Sequence, residues 1–227
     1  MASKATLRLS LVGLAAIGVV AGWVWSQRRA VHLEQPPTTM APSEATPTPP
    51  AVPPRAPDPA DVKAKVGQLF GPVVTWSGGP FAAGDFNADG SQDLAVVVQP
   101  SDVGRLNQEP SNWILQDPVA ARSRKPGALV SRPKVAAEPV LVMVHGYEAR
   151  GWRSPEAQQT YVLSGVAGAD LRSVPIRTAA AEAQMTVAEG REGEVLVERL
   201  RSGRGFLYWS GALYEWIPLP PASAAPP

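Results

Sequence analysis

The stretch Gly84-Asp85-Phe86-Asn87-Ala88-Asp89-Gly90-Ser91-Gln92-Asp93-Leu94-Ala95-Val96-Val97-Val98 constrains this chain more than any other. Oxygen-bearing side chains recur at every second position, Asp85, Asn87 and Asp89, and another carboxylate follows at Asp93. Carboxylates held this close repel one another unless a cation neutralises them. A hard dication such as calcium takes roughly six to eight oxygen ligands. The side chains of Asp85, Asn87, Asp89 and Asp93, with the Ser91 carbonyl at the usual seventh position, supply most of that shell. Gly90 stands where such a loop turns sharply. An ordinary Asx-rich turn needs only one or two of these residues. The EF-hand variant is disfavoured, because its closing bidentate Glu is replaced here by Val96. The spacing therefore predicts a calcium loop over 85–93, running directly into an apolar strand, Leu94 to Val98.

Phe86 between Asp85 and Asn87, then Asp89-Gly90 and Asp93-Leu94-Ala95, resembles the FG-GAP or VCBS repeat of the integrin α-subunit propeller and of many bacterial secreted proteins. The resemblance implies a structural calcium ion on Asp85, Asn87, Asp89, the Ser91 carbonyl and Asp93. It covers about fifteen residues, and no second copy of the loop is present. A propeller needs several blades, so the loop carries over and the propeller does not. The stretch Asn112 to Pro118 and the aromatic C-terminal region are similar to those of bacterial proteins with a single such repeat.

The chain opens with a run from Leu7 to Ser26 whose only formal charge is Arg8, preceded by Lys4 and followed by Arg28 and Arg29. Such a length crosses a hydrocarbon core of ~30 Å, and Trp23 and Trp25 suit the headgroup layer. The small-x-small pattern of a cleavage site is poor here, which favours an uncleaved anchor over a removed signal peptide. The expected organisation is a cytoplasmic segment 1–6, a transmembrane anchor 7–26 and a Pro-rich disordered linker 27–57. A domain over 58–219 and a disordered tail 220–227 follow. Extracellular calcium modules work at affinities of about 10⁻⁴ to 10⁻³ M. That places the domain outside the inner membrane, with the amino terminus inside.

Within 58–219, Asp58 and Pro59 open a helix that ends near Phe70, with Val62, Val66, Leu69 and Phe70 on one face. Strands are expected at Val73 to Trp76, Leu94 to Val98, Val140 to Val144, Val174 to Ile176, Met185 to Ala188 and Glu194 to Leu200. Pro155 to Leu163 reads as a short helix or strand. Gly205 to Trp209 and Leu213 to Ile217 read as a hairpin. Residues 99–138, rich in proline, read as a long irregular insertion. The fold class is thus α+β and mainly antiparallel β, one small domain with a single calcium loop.

Net charge is +1, which argues against a nucleic-acid footprint. There is no Cys, and His32 and His145 are the only histidines, so disulfides and thiolate or histidine-rich metal sites are excluded. The His145-Gly146 strand end invites comparison with α/β-hydrolases, but no Gly-x-Ser-x-Gly elbow exists. No nucleophile–base pair or phosphate loop has a recognisable spacing, and no catalytic residue is assigned. The expectation is a non-enzymatic, membrane-anchored binding or structural module of the envelope, its partner a protein or polysaccharide. An envelope hydrolase or carbohydrate-binding protein is the alternative. Exposed Trp152, Tyr208 or Trp216 would favour sugar stacking, and two close carboxylates in a cleft would favour hydrolysis.

Overall fold

The computed structural model describes residues 56–108, 111–124 and 132–221. All lie in one compact unit, Pro50–Pro227. The expected anchor 7–26, nearly all of the linker 27–57 and most of the tail 220–227 fall outside the described residues. Among the described residues, no helix is long and apolar enough to cross a membrane.

Helix α1 (Pro59–Phe70) begins where the sequence signals it. The Asp58 carboxylate accepts the Ala60 N–H at 2.8 Å, and Pro59 fills a first-turn position whose missing N–H costs nothing. Its apolar face, Val62, Val66 and Phe70, is buried.

Among the described residues, ten strands form two sheets. The first contains β1 (Val74–Thr75), β2 (Phe81–Gly84), β3 (Asp93–Pro100), β4 (Ile114–Gln116), β5 (Val140–Val144) and β6 (Thr160–Leu163). Its order is β1-β3-β5-β6-β4, with β2 also on β3. β1 pairs with Gln99 and Pro100, and β2 pairs with Asp93 to Val96, so the two make one edge of β3 interrupted by Trp76–Pro80. Every pairing is antiparallel except β4 on β6. The second sheet is antiparallel, in the order β10-β9-β8-β7. Its strands are β7 (Arg172–Pro175), β8 (Glu194–Leu200), β9 (Gly203–Trp209) and β10 (Tyr214–Pro218). Neither sheet closes into a barrel.

Strand alternation assigns each side chain to a layer. Leu94, Val96, Val98, Val140, Val142, Val144 and Val162 point toward α1 and pack with Val62, Val66 and Phe70. Their neighbours Ala95, Leu141, Met143, Tyr161 and Leu163 face the second sheet and meet Leu196, Leu207, Trp209, Tyr214 and Trp216. The far face of that sheet, Val195, Val197 and Phe206, is covered by a helix over Ile176–Glu182 through Ile176 and Ala179. The result is a four-layer stack of helix, sheet, sheet and helix.

Three expectations need correction. The stretch 99–138 is not simply irregular: it holds α2 (Val103–Leu106), β4 and α3 (Pro118–Arg122), and the Ile176–Glu182 helix is therefore α4. Asp102 caps α2 by accepting from the Arg105 N–H at 2.9 Å, and Asp117 caps α3 by accepting from Ala120 N–H at 2.8 Å. β4 adds a sheet edge because Leu115 is buried and Trp113 folds back, donating to the Leu106 carbonyl at 3.0 Å. Second, Met185 to Ala188 is not a strand. The chain there leaves α4, whose Ala179 and Ala180 supply a close-packing face. Third, Ile176 starts that helix instead of ending a strand.

Candidate functional site

The acidic loop connects β2 to β3 and joins three parts of the fold. Asp85 fastens it to the second sheet: its carbonyl accepts the Glu194 N–H at 2.8 Å, and its own N–H donates to Glu194 Oε2 at 3.0 Å. Asp93, at the start of β3, fastens it to the segment after β5, accepting the Gly146 N–H on Oδ1 at 2.7 Å. The Gln92 carbonyl accepts the Trp152 N–H at 2.7 Å.

Inside the loop the side chains of the predicted residues turn inward. Asp85 accepts the N–H of Asp89 on Oδ1 at 3.1 Å and of Gly90 on Oδ2 at 3.0 Å. Asn87 Oδ1 also accepts from the Asp89 N–H, and its amide donates to Asp89 Oδ2 at 2.7 Å. Asp89 Oδ1 accepts the Ser91 N–H at 2.8 Å. Asp93 Oδ2 accepts from Phe86 at 2.8 Å and Asn87 at 3.1 Å. Gly90 has φ 84° and Ala88 φ 61°, the left-handed region. Glycine enters it freely, whereas alanine does so at a cost of roughly 1–2 kcal/mol.

Asp93 is fully buried, Ser91 nearly so, and Asp89 is exposed at the tip. Burial is the main force raising the Asp93 carboxyl, to about 8. Asp89 and Asp85 push in the same direction, and the amides of Gly146 and Phe86 oppose them. Asp85 is also raised, again chiefly by burial, with Asp89 adding to the shift.

These residues fit a hard cation in kind. All are oxygen donors, and most carboxylate oxygens of Asp85, Asp89 and Asp93 take one N–H, leaving a second lone pair; Asp93 Oδ2 takes two. They are not gathered into a closed shell: among the described residues, no three His, Cys, Asp or Glu side chains stand close enough together to hold a metal ion.

Beneath the loop lies a polar-aromatic cluster that the sequence does not reveal. His145, directly after β5, is buried against Tyr161, Trp209 and Tyr214, with ring centroids 4.9 to 5.9 Å away. Its Nε2 and the Tyr214 hydroxyl share a hydrogen bond of 2.7 Å. Burial lowers the imidazole to about 4, so the ring is neutral at pH 7. A second buried acid, Glu198 on β8, accepts the Gly168 N–H on Oε2 at 2.8 Å, and burial raises it to about 8.

These groups set a pH dependence. Asp93 and Glu198 are raised in the folded state, so their contribution is complete below the unfolded values near 4 and is lost as pH rises toward 8. His145 is lowered, so its contribution is lost as pH falls from about 6.5 through 4. Its loss partly offsets the acids' gain only below about pH 6.5. Stability in chelator should therefore fall most steeply between pH 6.5 and 8, by of order 1 kcal/mol per unit. Urea midpoints at pH 6.5 and 8 measure this, and equal midpoints would refute it.

The aromatic residues of the C-terminal hairpin are core residues. Trp209, Tyr214 and Trp216 are buried, as is Trp152, so none of these rings offers a sugar-stacking face. Tyr208 is half-buried beneath the Arg191 guanidinium, 4.6 Å from the ring centroid. Asp170 pairs with Arg172 and Arg199, and Glu182 pairs with Arg204. Comparisons with family models, with curated proteins and with solved structures return no match.

Proposed function

We propose that this chain is a membrane-tethered binding or structural module of the cell envelope, held outside the inner membrane on its Pro-rich stalk and stabilised by a calcium ion. The ion's ligands are the side chains of Asp85, Asn87, Asp89 and Asp93 and the carbonyl of Ser91. One observation carries the reading: a loop bearing three carboxylates, two of them raised by burial, is built into the junction between the sheets. A bound dication supplies positive charge there and favours the ionised carboxylates. The chain's own residues do the rest. Asp93 holds the β3 start to Gly146, and Asp85 holds the loop to Glu194. The apolar run 7–26 supplies the tether, and the partner is an envelope protein or polysaccharide.

An ion that binds only the folded state stabilises it by mass action, by about 2.7 kcal/mol at a hundredfold excess over Kd. Calcium at millimolar concentration should raise the melting temperature, and chelator should reverse this. Asp89→Ala should remove the response, because Asp89 is exposed at the loop tip and has little packing to lose. A wild-type melting temperature indifferent to chelator would end the proposal.

A further inference from the structure

A cleft of about 350 Å³ opens between α1 and the segment Arg150 to Arg153. Lys65, Arg150, Arg153, Asp61, Gln68 and Trp152 line it. Three cations and one carboxylate line it, and the Glu156 carboxylate stands near Lys65 and Arg150, so the cleft region keeps one net positive charge.

Lys65 is the informative residue. It lies on the buried face of α1 and is only 4% exposed. Its ammonium donates to the Ser154 carbonyl at 2.8 Å and has no other hydrogen-bond acceptor among the described residues. Burying an ammonium is costly unless its N–H groups find partners. A helix built on apolar positions Val62, Val66 and Phe70 gains nothing in packing from a lysine at this site that leucine would not give. Burial lowers its pKa, and the nearby Glu156 only partly opposes that.

Arg153 is held in place. It stacks over the Trp152 ring at 4.2 Å and reaches Asp61 Oδ2 at 3.4 Å, Gln92 Oε1 at 3.1 Å and the Ala56 carbonyl at 3.0 Å. Arg150 stands exposed at the mouth. The Trp152 indole N–H is buried and has no acceptor among the described residues. A rigid guanidinium, a buried ammonium and a second, exposed guanidinium make a receptor for a compact dianion.

We propose that this cleft binds a phosphoryl group, either as free phosphate or as a small phosphomonoester. Lys65 supplies the deep charge, Arg153 the fixed wall and Arg150 the closing contact. The cleft's volume accommodates a ligand the size of a sugar phosphate.

The test is titration of the 227-residue chain with inorganic phosphate, glycerol phosphate and acetate, each at constant ionic strength. Isothermal calorimetry and tryptophan fluorescence are the readouts. Saturable binding of phosphate or glycerol phosphate, weakened at least about tenfold by Arg150→Ala, is expected. Lys65→Met should abolish it. If that variant does not fold, the exposed Arg150 still decides the matter. Whichever of the two phosphates binds tighter identifies the source. Absence of saturation by about 20 mM, equal affinity for acetate, or unchanged affinity in Arg150→Ala would overturn the assignment.

Discussion

Replacing Asp93 with alanine is expected to cost about 3–5 kcal/mol of folding stability and to abolish any response to calcium. The side chain is fully buried and accepts the N–H groups of Phe86, Asn87 and Gly146. Each buried donor left without an acceptor costs roughly 1–3 kcal/mol. Asp93→Asn keeps one acceptor oxygen and removes the titratable group. Its single carbonyl oxygen serves one side of the site, while its amide N–H₂ faces donors on the other, so it should recover only part of the loss. Urea denaturation of the three proteins in chelator provides the measurement. A loss below about 1 kcal/mol for Asp93→Ala would mean that the carboxylate does not pin the loop.

The second large effect belongs to Gly151. Its φ is +56°, and a Cβ there would stand 2.5 Å from the Gln92 carbonyl oxygen. That oxygen already accepts the Trp152 N–H, so neither backbone can retreat without breaking the bond. Gly151→Ala should therefore cost roughly 2–4 kcal/mol from the combined clash and conformational strain. It should also weaken phosphate binding, since Arg150 and Arg153 flank the displaced residue. Stability within about 0.5 kcal/mol of wild type would show that the contact between the two segments is loose.

Much of the fold was legible where local signals agreed. Asp58-Pro59 opened a helix, the apolar runs at Leu94 and Val140 gave buried strands, and the aromatic hairpin near the C terminus formed. Helix α4 escaped because its IRTAAAE stretch has only Ile176 as a large apolar residue, and its packing face is made of alanines. Strand β4 escaped because it is three residues long and gains its pairing from Tyr161 to Leu163, well downstream. The division into two sheets was invisible for a related reason: alternation assigns a side chain to a face without saying what covers that face.

The candidate site divides in the same way. The spacing of Asp85, Asn87, Asp89 and Asp93 is local, and it can be read along the chain. The clustering of His145 with Tyr214, and of Lys65 with Arg150 and Arg153, depends on residues distant in sequence. One local clue to the cleft did exist. Lys65 interrupts the apolar face of α1, and a cation on a buried helical face calls for an acceptor.

The double fastening of the acidic loop has a kinetic consequence. Asp85 and Glu194 are 109 residues apart, and Asp93 and Gly146 are 53 apart. Contacts of such separation close late, because the intervening chain must lose its freedom first. During synthesis the loop is not fastened on both sides until Glu194 has emerged, so a nascent chain lacks the complete junction until most of the described domain has been translated. A calcium ion bound there, as proposed, should slow escape from the native state while leaving the refolding rate almost untouched.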